Sequence, residues 1–290
     1  MIEFFKKILH AITQTIKFIQ NHFKATLFIF FLLWLLIPSS GENITPHNLE
    51  KITLNGGIFD VSDVVEKLEK AEKNERIKGV LFVMNSPGGA VAPSIELAHA
   101  IKRVAEKKPL IIYGSGMMAS GGYYASIYAH KIIANPGSII GSIGVIMQGA
   151  DISELMDKIG IKTQSIQAGE YKSVGTADRA WSEKEKAELE KVIFDTYDMF
   201  VGDVANARGL DINSSSDYAD AHIFTASQAM QVGLIDEIGV ENDAKNLLIE
   251  MTGVENPIWS REDKIEKFMK KLAAESSSYL HTYFPSLFLR

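Results

Sequence analysis

Cysteine is absent from all 290 residues. That excludes disulfides, thiolate-bound metals and a cysteine nucleophile. Positive charge is in the minority, with 30 lysines and arginines against 36 aspartates and glutamates and a formal net charge of -6. Nucleic acid is therefore not the expected partner, because a phosphate backbone selects a basic surface. Histidine is sparse and scattered: none of the seven stands in an HExxH-like pair or beside carboxylates at ligand spacing, so neither a metal nor another cofactor is expected. No internal repeat and no low-complexity tract occurs. What is present suits a chain that buries a core, with 46% hydrophobic and 23% charged residues, long enough for one large or two small domains.

One long uncharged run exists, ATLFIFFLLWLLI from Ala25 to Ile37, closed by Pro38-Ser39-Ser40-Gly41. Lys6, Lys7, Lys17 and Lys24 precede it and only Glu3 opposes them. Positive flanks stay in the cytoplasm, so residues after Ser40 are expected on the far side of a membrane. Residues 25–40 read as a transmembrane anchor or a signal segment, although the run is shorter than the ~20 residues of a full span. A removed signal peptide is the rival reading. The long preceding segment 1–24, with Ile2, Phe5, Ile8, Leu9, Ile12, Ile16 and Ile19 near one helical face, favours a retained cytoplasmic amphipathic element.

After a linker at 41–49, strand-like and helix-like patterns alternate across residues 50–255. Lys51 to Asn55, Val80 to Met84, Leu110 to Tyr113 and Lys131 to Ala134 read as strands; the apolar second and third suit strands covered on both faces. Ser62 to Lys73 (Ser62 as N-cap), Ser94 to Lys107 and Ser120 to Ala129 read as helices, with Gly114 to Ala119 as a turn. This order predicts an α/β fold built on a mostly parallel sheet. Ser182 with Glu185 and Thr225 with Gln228 carry capping-box spacing, the first opening a long charged helix to about Ala207. Residues 256–290 read as an amphipathic helix, Arg261 to Ala274, and an apolar tail, Tyr279 to Leu289.

Chemistry concentrates at two strand ends. In MMASGGYY, Ser120 stands where a buried strand meets a glycine-rich helix start, which exposes a hydroxyl beside free N–H groups. The same placement suits a plain N-cap. In NSPGG, Gly89 can aim an unobstructed N–H at a ligand, and with the N–H of Gly121 it could form a two-donor oxyanion hole; an ordinary strand-to-helix turn fits equally. No histidine is suitably placed to activate Ser120, since His130 lies roughly 15 Å along a helix. A lysine can replace it if its charge is suppressed. Lys172, in the small-residue loop GEYKSVG, differs from the lysines of solvated helices.

The segments NSPGG (Asn85 to Gly89), GMMASGGYYAS (Gly116 to Ser126), GSIIGSIGV (Gly137 to Val145), GEYKSVGTADR (Gly169 to Arg179) and ASQAMQVGLIDEIG (Ala226 to Gly239) together resemble the signal peptide peptidase A family, Ser-Lys proteases of the ClpP/crotonase superfamily. The match runs in order from about Lys51 to Gly239. The resemblance implies ClpP/crotonase-like repeated ββα units, preceded here by the N-terminal membrane-anchor helix. It implies Ser120 as nucleophile, Lys172 as general base, Ser142 orienting the lysine, and Gly89 and Gly121 as the oxyanion hole. Met117, Met118, Ile143 and Val145 are the expected pocket walls. The chain holds one copy of the fold, like the family's short form, so the resemblance implies a ring-like homo-oligomer with sites shared between subunits. It further implies cleaved signal peptides as substrates and a single-pass position in the bacterial inner membrane, with the catalytic domain outside the cytoplasm. The rival readings are a cytoplasmic crotonase-type acyl-thioester enzyme and a non-catalytic membrane scaffold.

Overall fold

The computed structural model describes residues 13, 14, 17, 20–36 and 46–260. The chain divides into two units, Pro46–Ser260 and a second made of 1–45 with 261–290. In the second unit, α1 (Phe23–Leu36) is helical. Its 14 residues extend about 21 Å at 1.5 Å per residue, short of the ~30 Å hydrocarbon layer. Among the described residues no helix is long and apolar enough to cross a membrane. Phe23, Leu27, Phe28, Ile29, Phe30 and Leu32 are exposed along α1. The seven apolar positions from Ile2 to Ile19, the 261–274 helix and the tail Tyr279 to Leu289 lie outside the described residues.

The unit Pro46–Ser260 is built on β1 (Leu49–Asn55), β2 (Gly79–Ser86), β3 (Leu110–Ala119) and β4 (Lys131–Ala134), all parallel, with β7 (Glu237–Ile238) beyond β4. The expected mostly parallel sheet is therefore present. Side chains alternate across β2: Val80, Phe82 and Met84 enter the larger core, while Leu81 and Val83 join Ile111, Tyr113 and Ile133 in the second. The unbroken apolar run Val80 to Met84 results because both faces of the strand are covered. The connections supply the covering: α2 (Ser62–Lys73), α3 (Val91–Ala105) and α4 (Gly121–Ser126) contribute to the larger core, and α8 (Glu241–Thr252) brings Ala244 and Leu248 to the other.

Two expectations need correction. Ser62 is not the cap of α2 but its first residue; Asp60 accepts from the Ser62 backbone N–H at 2.9 Å and from its hydroxyl at 2.7 Å. Gly114 to Ala119 is strand rather than turn. Pairing of β2 with β3 shifts between Met84 and Ser86, and beyond the shift β3 acquires a new neighbour, β5 (Ile139–Gly141), through Met117, Met118 and Ala119. An irregularity of this kind re-aims a strand without ending it. On its far side β5 pairs antiparallel with β6 (Ile223–Thr225).

A short α5 (Ser153–Lys158) follows β5, and both capping boxes form, at the starts of α6 (Glu183–Arg208) and α7 (Ala226–Gln231). The sheet edge at β1 is covered by the end of the unit: Leu49 bridges Trp259, and the Ser260 N–H donates to Leu49 O at 2.9 Å. Deep in the larger core the Tyr123 hydroxyl donates to Leu234 O at 2.7 Å, and burial holds it protonated. Tyr123→Phe removes that donor and leaves a buried carbonyl unpaired. The expected cost is about 1–3 kcal/mol, read as a lower denaturant midpoint at unchanged m-value.

Candidate active site

Ser120 joins the end of β3 to α4 with φ 50° and ψ -125°, a positive φ that a residue with a side chain adopts only under constraint. The constraint is visible on both sides. Its N–H donates to Gly141 O at 2.8 Å, continuing the β3–β5 pairing, and its carbonyl accepts from the Tyr124 N–H at 2.9 Å. Held this way, Ser120 borders a cavity of about 100 Å³.

The Gly88-Gly89 turn packs straight onto this corner. A methyl on Gly88 would lie 2.7 Å from both Gly121 N and Ser120 Cβ, and one on Gly121 would lie 2.2 Å from Ser94 Oγ. Neither position has room for a side chain. A third strand of contacts locks the turn: Ile58 N–H donates to Gly88 O at 2.9 Å and Ala90 N–H to Ile58 O at 2.8 Å. A methyl on Gly89 would come within 2.2 Å of that Ile58 carbonyl. The N–H groups of Gly89 and Gly121 make no backbone hydrogen bond among the described residues, and both residues line the cavity with Ser120. Two unpaired donors beside a hydroxyl form an arrangement that can bind a developing oxyanion.

The remaining walls come from Val91, Ser94 and Ile95 of α3, Tyr124 of α4, the segment Gly144 to Ile146, and Thr196, Met199 and Phe200 of α6. Of the four expected pocket residues, Val145 is a wall. Met118 and Ile143 are fully buried in the core beneath the cavity, and Met117, on the opposite side of the strand from Met118, is exposed. Sequence reading missed the α6 contribution. Its signal was present as an i, i+3, i+4 set, Thr196, Met199 and Phe200, inside a helix otherwise read as charged.

Ser142 also has φ 50°, and its N–H donates to His222 O at 2.7 Å; it does not line the cavity. Nor does Lys172. That lysine is exposed, in a turn bounded by Gly169 and Gly175, and among the described residues its side chain has no hydrogen bond or ion pair. The turn is fastened to the start of α6: Arg179 donates to both Glu185 oxygens, at 2.8 and 2.6 Å, and to Ser173 Oγ at 3.1 Å, while Trp181 Nε1 donates to Thr176 O at 2.8 Å. No group of metal-ligating side chains occurs among the described residues.

The sequence profile of Peptidase family S49 matches residues 102–255, and that of Clp protease matches residues 50–140. A Methanocaldococcus jannaschii chain, MJ0651, whose name proposes a protease, is 39% identical over 77% of this chain and 78% of its own. An Enterococcus faecium chain, named as a proposed signal peptide peptidase SppA, is 32% identical over 71% of this chain and 64% of its own. The Arabidopsis thaliana chloroplastic serine protease SPPA is 31% identical over 63% of this chain, but over 27% of its own length. The chain belongs to peptidase family S49. It is a serine protease.

A methyl at Gly89 or Gly121 has no room, so Gly89→Ala and Gly121→Ala are expected to shift the amides beside Ser120 and to lower kcat for peptide hydrolysis about 10²–10³-fold. A second expectation concerns acid. Arg179, with the Ser182 backbone N–H, lowers the Glu185 carboxyl from 4.5 to about 2. The unfolded chain holds that proton more tightly, so the pair's stabilisation is full above about pH 4.5 and is lost as pH falls towards 2. Glu185→Gln should flatten the acid limb of a stability-against-pH curve over that window.

Proposed function

We propose that this protein cleaves peptide bonds with Ser120 as nucleophile and Lys172 of a neighbouring copy as general base. The observation that carries the reading is the corner itself: a conformationally constrained serine whose cavity also holds two unpaired backbone N–H groups. Neutral Lys172 takes the Ser120 proton as Oγ attacks the scissile carbonyl. The N–H groups of Gly89 and Gly121 receive the oxyanion. The lysine then protonates the leaving amine, and water releases the acyl-enzyme by the reverse sequence. Ser142, whose backbone is held against His222, would orient the lysine.

Delivery from a neighbour is supported by where Lys172 lies. It is outside the cavity of its own chain, and the preceding segment exposes Ile159, Ile161 and Ile166. Apolar side chains on a projecting segment fit a contact between copies, and closure of such contacts yields the ring-like homo-oligomer.

Membrane attachment rests on α1, which carries no charged residue after Lys24 and exposes an unbroken apolar run from Leu27 to Leu32. With the lysines before it on the cytoplasmic side, the catalytic unit faces outward, where cleaved signal peptides accumulate. The apolar cavity suits such substrates.

Ser120→Ala and Lys172→Met are each expected to lower kcat/KM at least ~10³-fold, the scale of losing a nucleophile or its base. Mixing the two inactive variants and allowing subunits to exchange should restore a measurable fraction of activity. Full activity in pure Ser120→Ala would refute the nucleophile. An exchanged mixture that stays inactive would refute sharing between copies.

A further inference from the structure

The cavity beside Ser120 ends on Tyr124, and that side chain is fixed. Its hydroxyl donates to Asp203 Oδ2 at 2.5 Å, its ring meets Phe200 at 75° with centroids 5.0 Å apart, and it is buried. Burial, then the bond to Asp203, holds the hydroxyl protonated. Tyr124 and Phe200 line the cavity whereas Asp203, on α6 and three residues beyond Phe200, does not. The other wall hydroxyls are spent inside the protein: Ser94 Oγ donates to Ala90 O at 2.8 Å and Thr196 Oγ1 to Val192 O at 2.7 Å. Apart from Ser120 and the backbone amides, the walls therefore offer a ligand mainly carbon, with a carboxylate directly behind one ring.

We propose that Tyr124 determines which side chain the cavity accepts, its ring serving as both floor and shield. Tied by Asp203, the ring limits depth and screens the carboxylate, so the cavity takes short or branched aliphatic side chains and refuses lysine and arginine. The inference rests on the reading above that the cavity receives the peptide side chain next to the cleaved bond. Its chemical consequence is specific. With the ring removed, Asp203 becomes the base of a deeper pocket, and a half-buried carboxylate at that position selects a cationic side chain by charge-assisted hydrogen bonding.

The test uses the full chain and three peptides that differ only in the residue before the cleaved bond: alanine, leucine or lysine. Wild type should favour alanine and leucine. Tyr124→Ala should raise kcat/KM for lysine relative to leucine at least tenfold, chiefly through KM, and adding Asp203→Asn should cancel that gain. Tyr124→Phe keeps the ring, so lysine should remain refused. If thermal unfolding shows Tyr124→Ala to be unfolded, Tyr124→Leu carries the same expectation. A lysine-to-leucine ratio within twofold of wild type in a folded variant overturns the proposal, as does a gain that survives Asp203→Asn. Wild type that cleaves lysine and leucine peptides equally also overturns it, while leaving the Ser120 assignment intact. Wild type that cleaves none of the three defeats the peptidase site itself.

Discussion

Everything at the site depends on two turns approaching closer than side chains permit. Gly88 and Gly89 lie against Ser120 and Gly121 with no space for a Cβ at Gly88, Gly89 or Gly121. That contact keeps the Gly89 and Gly121 amides at one cavity without spending either on the fold. It also explains why the serine tolerates a positive φ. Strain of order 1–3 kcal/mol at one residue persists only where the surroundings over-determine it; here β5 holds the amide side and α4 the carbonyl side.

The approach is made possible further back, in the sheet. On the side away from β2, β3 is paired by β4 as far as Gly114 and then by β5 from Met117 to Ala119. One strand thus spans two neighbours in succession, and Ser120 follows directly from the second. The same pairing brings the chain from Gly141 towards Gly144, so the serine and the wall opposite are set by one ladder. Ile58 completes the arrangement from the other side by bracketing Gly89 between two hydrogen bonds. The geometry of this corner is carried largely by main chain.

Much of this was legible in the residues. The buried central strands announced themselves by unbroken apolar runs, and both capping boxes formed where Ser182-x-x-Glu185 and Thr225-x-x-Gln228 stand. The serine corner and its two glycines were found as motifs. The limit of β3 was not found, because glycine and methionine in Gly114 to Ala119 read as a turn, and only a non-local partner makes them strand. The α6 wall of the cavity was missed for a related reason. Thr196, Met199 and Phe200 lie within a helix dominated by charge, and nothing local shows that one short stripe of it faces a serine some 76 residues earlier in the chain. Met118 and Ile143 have the right chemistry for a pocket, but strand alternation turns Met118 into the core, and Ile143, just past the end of β5, is buried there too.

The strip that closes the outer edge of β1 has a practical bearing on any shortened form of the protein. Ile258 O accepts from the Leu49 N–H at 3.1 Å, the Ser260 N–H donates to Leu49 O, and Ser260 Oγ also takes the Lys51 N–H at 2.8 Å. A chain trimmed at residue 255, where the match to the peptidase family stops, would lose this cover. Its outermost strand would then present open donors and acceptors along an otherwise intact sheet. Such an edge recruits whatever extended polypeptide it meets, so the trimmed protease would be drawn into strand-to-strand self-association, with other copies or its own substrates taking the place of its missing hem.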